Sequence, residues 1–175
     1  MRDDRHRWTL IDPADFGQGR AGVRLEPAPP LRQTLVSGAA ALTRFERDLG
    51  PAVGWPAPAR GHSYAVALRR DRALLVNGPS LDDGWDAGAG LAISDMSGGY
   101  AVFDLSGAGV ADILRRGTEI DPNRPSRSAA RLFAGFDVVL YHLAGPECVR
   151  FHVDRAQEQA FLLRLRAFLE QLDQP

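Results

Sequence analysis

The chain contains no lysine: all 21 of its basic residues are arginine. That excludes a Schiff-base lysine, a phosphate-loop lysine and a Ser-Lys nucleophile pair together. The bland reading is a high-GC source genome, which favours arginine codons over lysine codons. Cysteine is nearly absent too. The single Cys148 rules out an intramolecular disulfide and any cysteine-rich zinc module, and one thiol fits a reducing compartment. Charge of one sign is also missing, because 22 acidic residues leave a formal net charge of −1. No global field that would hold nucleic acid is expected. Long apolar runs are lacking as well: none approaches the ~20 residues needed to cross a bilayer. The charged start, Met1 to Arg7, is followed by no apolar run of the kind a secretory signal needs. The expectation is a cytoplasmic protein with no membrane partner.

What is present is an ordinary globular composition. The 175 residues are 45% hydrophobic and 25% charged. A chain of this size buries roughly 70% of its unfolded surface, so its core needs no metal or disulfide. Residues 1–20 are polar, with Trp8, Leu10 and Ile11 as their only anchors, and read as an arm that is ordered by docking or not at all.

From there two halves follow one plan, 21–90 and 91–175. In the first, 22–26 and Thr34-Leu35-Val36 read as short strands on either side of a proline run. Ser37 is placed to cap a helix over about 38–49, with Leu42, Phe45 and Leu49 on one stripe and Gly50 at its end. A Pro/Gly loop leads to a hairpin, 64–68 and 73–76. Residues 80–90 have room for a helix of one or two turns. In the second half, 100–105 is a strand, and Ser106-Gly107 opens a helix with Val110, Ile113 and Leu114 inward and Gly117 at its close. A polar loop, 121–128, precedes a long hairpin of 136–143 and 148–153, and a helix over about 156–172 ends the chain. Pairing 142 with 149 and 140 with 151 puts Val138, Leu140, Val149, Phe151 and Val153 on one face. Asp137, Tyr141, Arg150 and His152 take the other. The Ser-Gly pairs are 69 residues apart and the hairpin strands 72 apart. This near-constant offset predicts an α+β fold made by internal duplication of two ferredoxin-like β-α-β-β-α halves that share one core.

Reactive constellations are scarce. No Gly-x-Ser-x-Gly elbow occurs. Gly107-Ala108-Gly109 follows a strand and opens a helix, but Asp112 stands where a dinucleotide fingerprint needs its third glycine. His142, Cys148 and His152 are close in sequence, yet the hairpin register sends His142 to one face and the other two to the opposite one, so they cannot converge on one metal ion. Asp82 and Asp83, as neighbours, point apart. No catalytic residue and no metal or cofactor ligand set is assigned. The one locally basic patch is Arg124, Arg127 and Arg131, a candidate for contact with an anion or an acidic partner; the alternative is a solvated loop.

Several short strings carry a resemblance. Asp95-Met96-Ser97 and the run Tyr100 to Gly109 are similar to the "D-h-S … h-x-h-x-G-P-x-A" segment of the glycine-cleavage T-protein superfamily. Leu49-Gly50 with Trp55-Pro56, the run Leu74 to Pro79, Ile120-Asp121, and Phe151-x-Val153-x-Arg155 resemble segments of the gamma subunit of heterotetrameric sarcosine oxidase. Ala108-Gly109 stands where Gly-Pro is typical, and Ala156 where that family has serine. The resemblance spans about residues 22–172. It implies two swapped ferredoxin-like halves, as in the T-protein folate-binding domain. It also implies an accessory, non-catalytic subunit of a heterotetramer that oxidatively demethylates an N-methyl amino acid, with the one-carbon unit passed to tetrahydrofolate. FAD, FMN, NAD, zinc and tetrahydrofolate would then sit on the partner subunits and none on this chain. A free-standing folate-binding or aminomethyl-transfer protein, and an interaction module without a ligand, are the alternatives.

Overall fold

The structure, a computed structural model, describes residues 22–118 and 124–172. The expected arm over 1–20, Ile120-Asp121 and the start of the polar loop lie outside the described residues. Among the described residues, eleven strands and three α-helices follow in order: β1 (Arg24–Pro27), β2 (Gln33–Ser37), α1 (Glu46–Leu49), β3 (Pro58–Ala59), β4 (Tyr64–Arg69), β5 (Arg72–Val76), β6 (Gly84–Asp86), β7 (Leu91–Asp95), β8 (Tyr100–Ser106), α2 (Val110–Gly117), β9 (Ala130–Phe133), β10 (Phe136–Leu143), β11 (Cys148–Asp154) and α3 (Glu158–Leu172). They form a mixed α+β fold built on two mostly antiparallel sheets.

The larger sheet runs β1-β8-β11-β10-β3, with β9 also on β10; the smaller runs β4-β5-β2-β7-β6. One order recurs in both. A hairpin (β4/β5 or β10/β11) lies beside the strand that leads into a helical segment (β2 or β8), and a further strand follows (β7 or β1). That further strand is exchanged. β1 comes from the start of the first half but pairs in the second sheet. Leu91–Asp95, grouped with the second half by sequence, pairs with β2 in the first.

The sheets stack face to face. Val66, Leu68, Leu74 and Val76 of one meet Val139 and Tyr141 of the other in a shared apolar layer. On its outer face the larger sheet packs Phe103, Leu140, Phe151 and Val153 against Ile113 of α2 and Phe161, Leu165 and Phe168 of α3. The smaller sheet's outer face is covered by Ala41 and Phe45. The β10/β11 register is the expected one: His142 opposes Val149, and Leu140 opposes Phe151. Its second face, the one holding Tyr141, Arg150 and His152, is not a solvent face. All three residues are buried, because the smaller sheet lies across them.

Three expectations are corrected. The helix over 38–49 is only the single turn Glu46–Leu49. Residues 39–45 form successive turns in which bonds to the third preceding residue (Ala41 to Gly38, Thr43 to Ala40) mix with bonds to the fourth. Phe45 still faces the core. Ser37 and Ser106 cap nothing. Both end strands, and Ser37 Oγ accepts from Arg72 Nε at 3.1 Å. The glycine after each makes the turn: Gly38 and Gly107 have φ of +149° and +121°. A Cβ on them would lie 2.4 Å from the Gly90 carbonyl oxygen and 2.1 Å from that of Gly22. The Ser-Gly pairs therefore mark a close backbone crossing. Finally, 80–90 holds the short strand β6 and no helix. Residues 82–88 are exposed, and the carboxylates compete for the backbone: Asp86 Oδ1 accepts from Ala89 N–H and Asp83 Oδ1 from Asp95 N–H. The first half thus lacks the closing helix of a β-α-β-β-α unit.

Candidate functional site

Two features concentrate the polar chemistry. The first is a hydrogen-bonded chain buried between the sheets. Arg150 is held bidentately by Asp104, with Nε and Nη2 each 2.7 Å from a carboxylate oxygen. Its Nη1 donates to Tyr64 Oη at 3.0 Å. Tyr64 and Tyr141 hydroxyls are 3.0 Å apart, Tyr141 Oη lies 2.7 Å from His152 Nε2, and His152 Nδ1 lies 2.5 Å from Gln33 Oε1. Donor counting fixes the direction. Gln33 Oε1 only accepts, so His152 Nδ1 carries the proton and Nε2 accepts from Tyr141. Tyr141, its one proton spent, accepts from Tyr64, which accepts from Arg150. Each hydroxyl donates once and accepts once.

Burial is the largest single influence on the titration of its members. Burial, then the Arg150 charge, pushes His152 down to about 3. Burial, then the Tyr64 hydroxyl, holds Tyr141 well above an ordinary phenol. Burial works against the Arg150 cation, but the Asp104 carboxylate and the tyrosine oxygens more than offset it, so the guanidinium stays charged. All partners are committed to one another, which makes this chain a lock between the sheets.

The second feature is a cavity of about 370 Å³ on the other face of the β10/β11 hairpin. Its walls come from three places. Trp55, Pro56 and Pro58 lie in the segment before and within β3, which pairs in parallel with β10 by setting Pro58 opposite His142. Ala111, Leu114 and Arg115 face it from α2. His142 and the turn residues Gly145 and Pro146 complete it. Trp55 is 4% exposed and stacks on His142 with ring centroids 4.7 Å apart. Its carbonyl accepts from Ser126 N–H at 2.7 Å, tying the wall to the loop before β9. His142 Nδ1 is buried with no hydrogen-bond partner among the described residues. Burial lowers the His142 pKa, and the Cys148 and Gly145 carbonyls beside the ring pull it the other way. Arg115 pairs with Asp112 one turn back, and both are more than half exposed. The size and mostly apolar lining are those of a small-ligand site.

The sequence-predicted arginines are not on this cavity. Arg124 and Arg127 are exposed, and Arg131 is half-buried on β9. Arg127 borders a groove with Leu42, Glu46 and Pro51, whereas Arg131 borders a separate one with Arg69, Arg72, Asp137 and Asp154. Their loop is stitched down by Ser128 Oγ to the Leu68 carbonyl and by Ala129 N–H to the Ala67 carbonyl. Gly107 is occupied by the backbone crossing described above. His142 and His152 lie on opposite faces of the hairpin, as the register requires. The Cys148 thiol is half-buried, and burial raises its pKa. Sequence reasoning missed Trp55, Arg115 and His142 as a group, and also the Gln33–Asp104 chain. The one legible signal was the polar-aromatic face of the hairpin, with no residue pattern to say what covered it.

Comparison with known proteins adds one informative likeness. No family profile matches the chain, and no curated protein matches it by sequence. Among solved structures it is similar to a chain of the heterotetrameric sarcosine oxidase from Corynebacterium sp. U-96, in complex with pyrrole 2-carboxylate. The TM-score is 0.69 at 18% identity, over 94% of this chain and 97% of that one. A glycine cleavage system aminomethyltransferase T from Bartonella henselae is matched at TM-score 0.49 and 13% identity, over 83% of this chain and 46% of that one. The fold is thus that of the sarcosine oxidase chain. Among the described residues no helix is long and apolar enough to cross a membrane.

Proposed function

We propose that this chain is a gamma-type accessory subunit of a sarcosine-oxidase-like flavoprotein complex, one that oxidatively demethylates an N-methyl amino acid and passes the one-carbon unit to tetrahydrofolate. The observation that carries the reading is the end-to-end likeness, which spans nearly the whole of both chains. The matched protein is therefore a chain of this size within a larger oxidase. The interior supports a non-catalytic role. His152, Tyr141, Tyr64 and Asp104 are bound to one another, and burial disfavours the Cys148 thiolate. On this reading FAD, FMN, NAD, zinc and tetrahydrofolate belong to the partner subunits. The recurring strand order and the two Ser-Gly crossings support descent by duplication of a ferredoxin-like unit, with one strand exchanged.

Deleting the chain in its source organism tests the proposal. The expected result is loss of the assembled flavoprotein and of sarcosine-dependent oxidation, both restored by re-expression. Sarcosine oxidation unchanged in the deletion strain would overturn it. Titrating the isolated chain with tetrahydrofolate separates the rival reading: saturable quenching of Trp55 fluorescence would favour a folate-binding protein in its own right.

A further inference from the structure

A subunit needs a surface for its partner, and the open end of the smaller sheet supplies one. We propose, on the accessory reading above, that β6 takes up an extended basic segment of a larger subunit as a further strand, with an apolar side chain of that segment seated on Trp85. β6 sets Trp85 opposite Ala92, β7 sets Ala92 opposite Ser37, and β2 sets Ser37 opposite Arg72. Opposed residues share a face, so they form one row across the sheet. Leu35, two residues along β2 from Ser37 and so on the same face, packs into the apolar layer between the sheets. Trp85 thus stands on the face that the larger sheet covers elsewhere, but past the end of that cover. It is 67% exposed, and Ala92 and Ser94 beside it are exposed too. An indole left open on an inner sheet face is the kind of anchor on which interfaces concentrate their energy.

The strand also has a free edge. Among the described residues β6 ends its sheet and pairs with β7 alone, so its outer backbone N–H and C=O groups are open to an added strand. Charge selects the occupant. Asp82, Asp83 and Asp86 flank Trp85, all exposed, and none forms an ion pair with another described residue. No arginine occurs between Arg72 and Arg115. Two copies meeting edge to edge would bring these carboxylates together, and like charges across a strand pair repel. A segment carrying arginine or lysine meets them favourably. Two of the three also fix the strand in advance: Asp83 Oδ1 accepts from Asp95 N–H at 2.7 Å and Asp86 Oδ1 from Ala89 N–H at 3.0 Å. Little ordering therefore opposes docking.

The tagged full-length chain, wild type or variant, would replace the native copy in the source organism, and the flavoprotein recovered per mole of chain would be measured. Wild type should recover a stoichiometric amount. Trp85→Ser should recover about ten-fold less, and Trp85→Phe, which keeps an apolar ring, most of the wild-type amount. The triple variant Asp82→Asn/Asp83→Asn/Asp86→Asn keeps the acceptors and removes the charge, so recovery should fall by roughly three- to ten-fold. Leu163→Ser, at an exposed apolar position of α3, should match wild type. Circular dichroism of every purified variant should match wild type too, because the replaced side chains are exposed. p-Benzoylphenylalanine placed at position 85 should photo-cross-link to a basic, extended segment of a larger subunit. A cross-link to a second copy, or to residues 1–20 of the same chain, would overturn the proposal, as would equal recovery by wild type and Trp85→Ser. No flavoprotein with the wild-type chain would instead overturn the accessory reading, and this proposal with it.

Discussion

Removing the Asp104 carboxylate is the sharpest perturbation of the lock between the sheets. The Arg150 side chain is 8% exposed and that of Asp104 20%. Asp104→Leu leaves the guanidinium with only Tyr64 Oη as a partner among the contacts described, and with an uncompensated charge between two sheets. A buried pair broken in this way costs about 3–5 kcal/mol. For a chain of this length that lowers Tm by roughly 6–20 °C. The reverse truncation is milder. In Arg150→Met the orphaned carboxylate is the more exposed partner, 20% open to water, so about 1–2 kcal/mol is expected. The double variant Asp104→Leu/Arg150→Met removes both charges and should return to within about 1 kcal/mol of wild type. Urea unfolding followed by circular dichroism, run on all four proteins, gives the cycle; unchanged m-values would license the comparison. A coupling energy below about 1 kcal/mol would refute the reasoning, because Arg150 and Asp104 would then be behaving as a solvated surface pair.

Acid titration should report His152. Its folded pKa of about 3 lies below the ordinary 6.5, so the unfolded chain binds the extra proton between those values. The associated stability is fully present above about pH 6.5 and is lost as pH falls toward 3, with a slope approaching 1.4 kcal/mol per pH unit. Urea midpoints from pH 7 to pH 4 should fall by about one proton's slope less in His152→Gln than in wild type; equal slopes would exclude His152 as the source. Gly107→Ala puts a Cβ 2.1 Å from the Gly22 carbonyl at a φ of +121°. It should cost about 2–4 kcal/mol in the same assay, while Gly145→Ala, whose Cβ meets nothing within 4 Å, should stay within about 1 kcal/mol.

Much of the fold was legible because its signals are local. The β10/β11 register follows from alternation alone. Val110, Ile113 and Leu114, and Phe161, Leu165 and Phe168, repeat at helical spacing and are buried as their stripes require. Where a local signal had two outcomes, the wrong one was read. Ser-Gly before an apolar stripe fits a capped helix, yet here the strands run through the serines and the glycines take a backbone crossing set by Gly22 and Gly90, which no local pattern discloses. The exchange of β1 and β7 is invisible for the same reason, since pairing partners lie far apart in the chain. The cavity was illegible because Trp55, Arg115 and His142 come from three separate elements. Tyr141 and His152 face the interior only because a second sheet covers them, and their alternation looks the same whether water or Tyr64 lies opposite.

The central claim, membership in a larger flavoprotein, is most directly tested by native mass spectrometry of the tagged chain purified from its source organism at its own expression level. A stoichiometric assembly of this chain with larger subunits, carrying flavin absorbance that sarcosine bleaches, is the expected result. A single species with the mass of the tagged chain alone, with no flavin in any fraction that contains it, would contradict that membership.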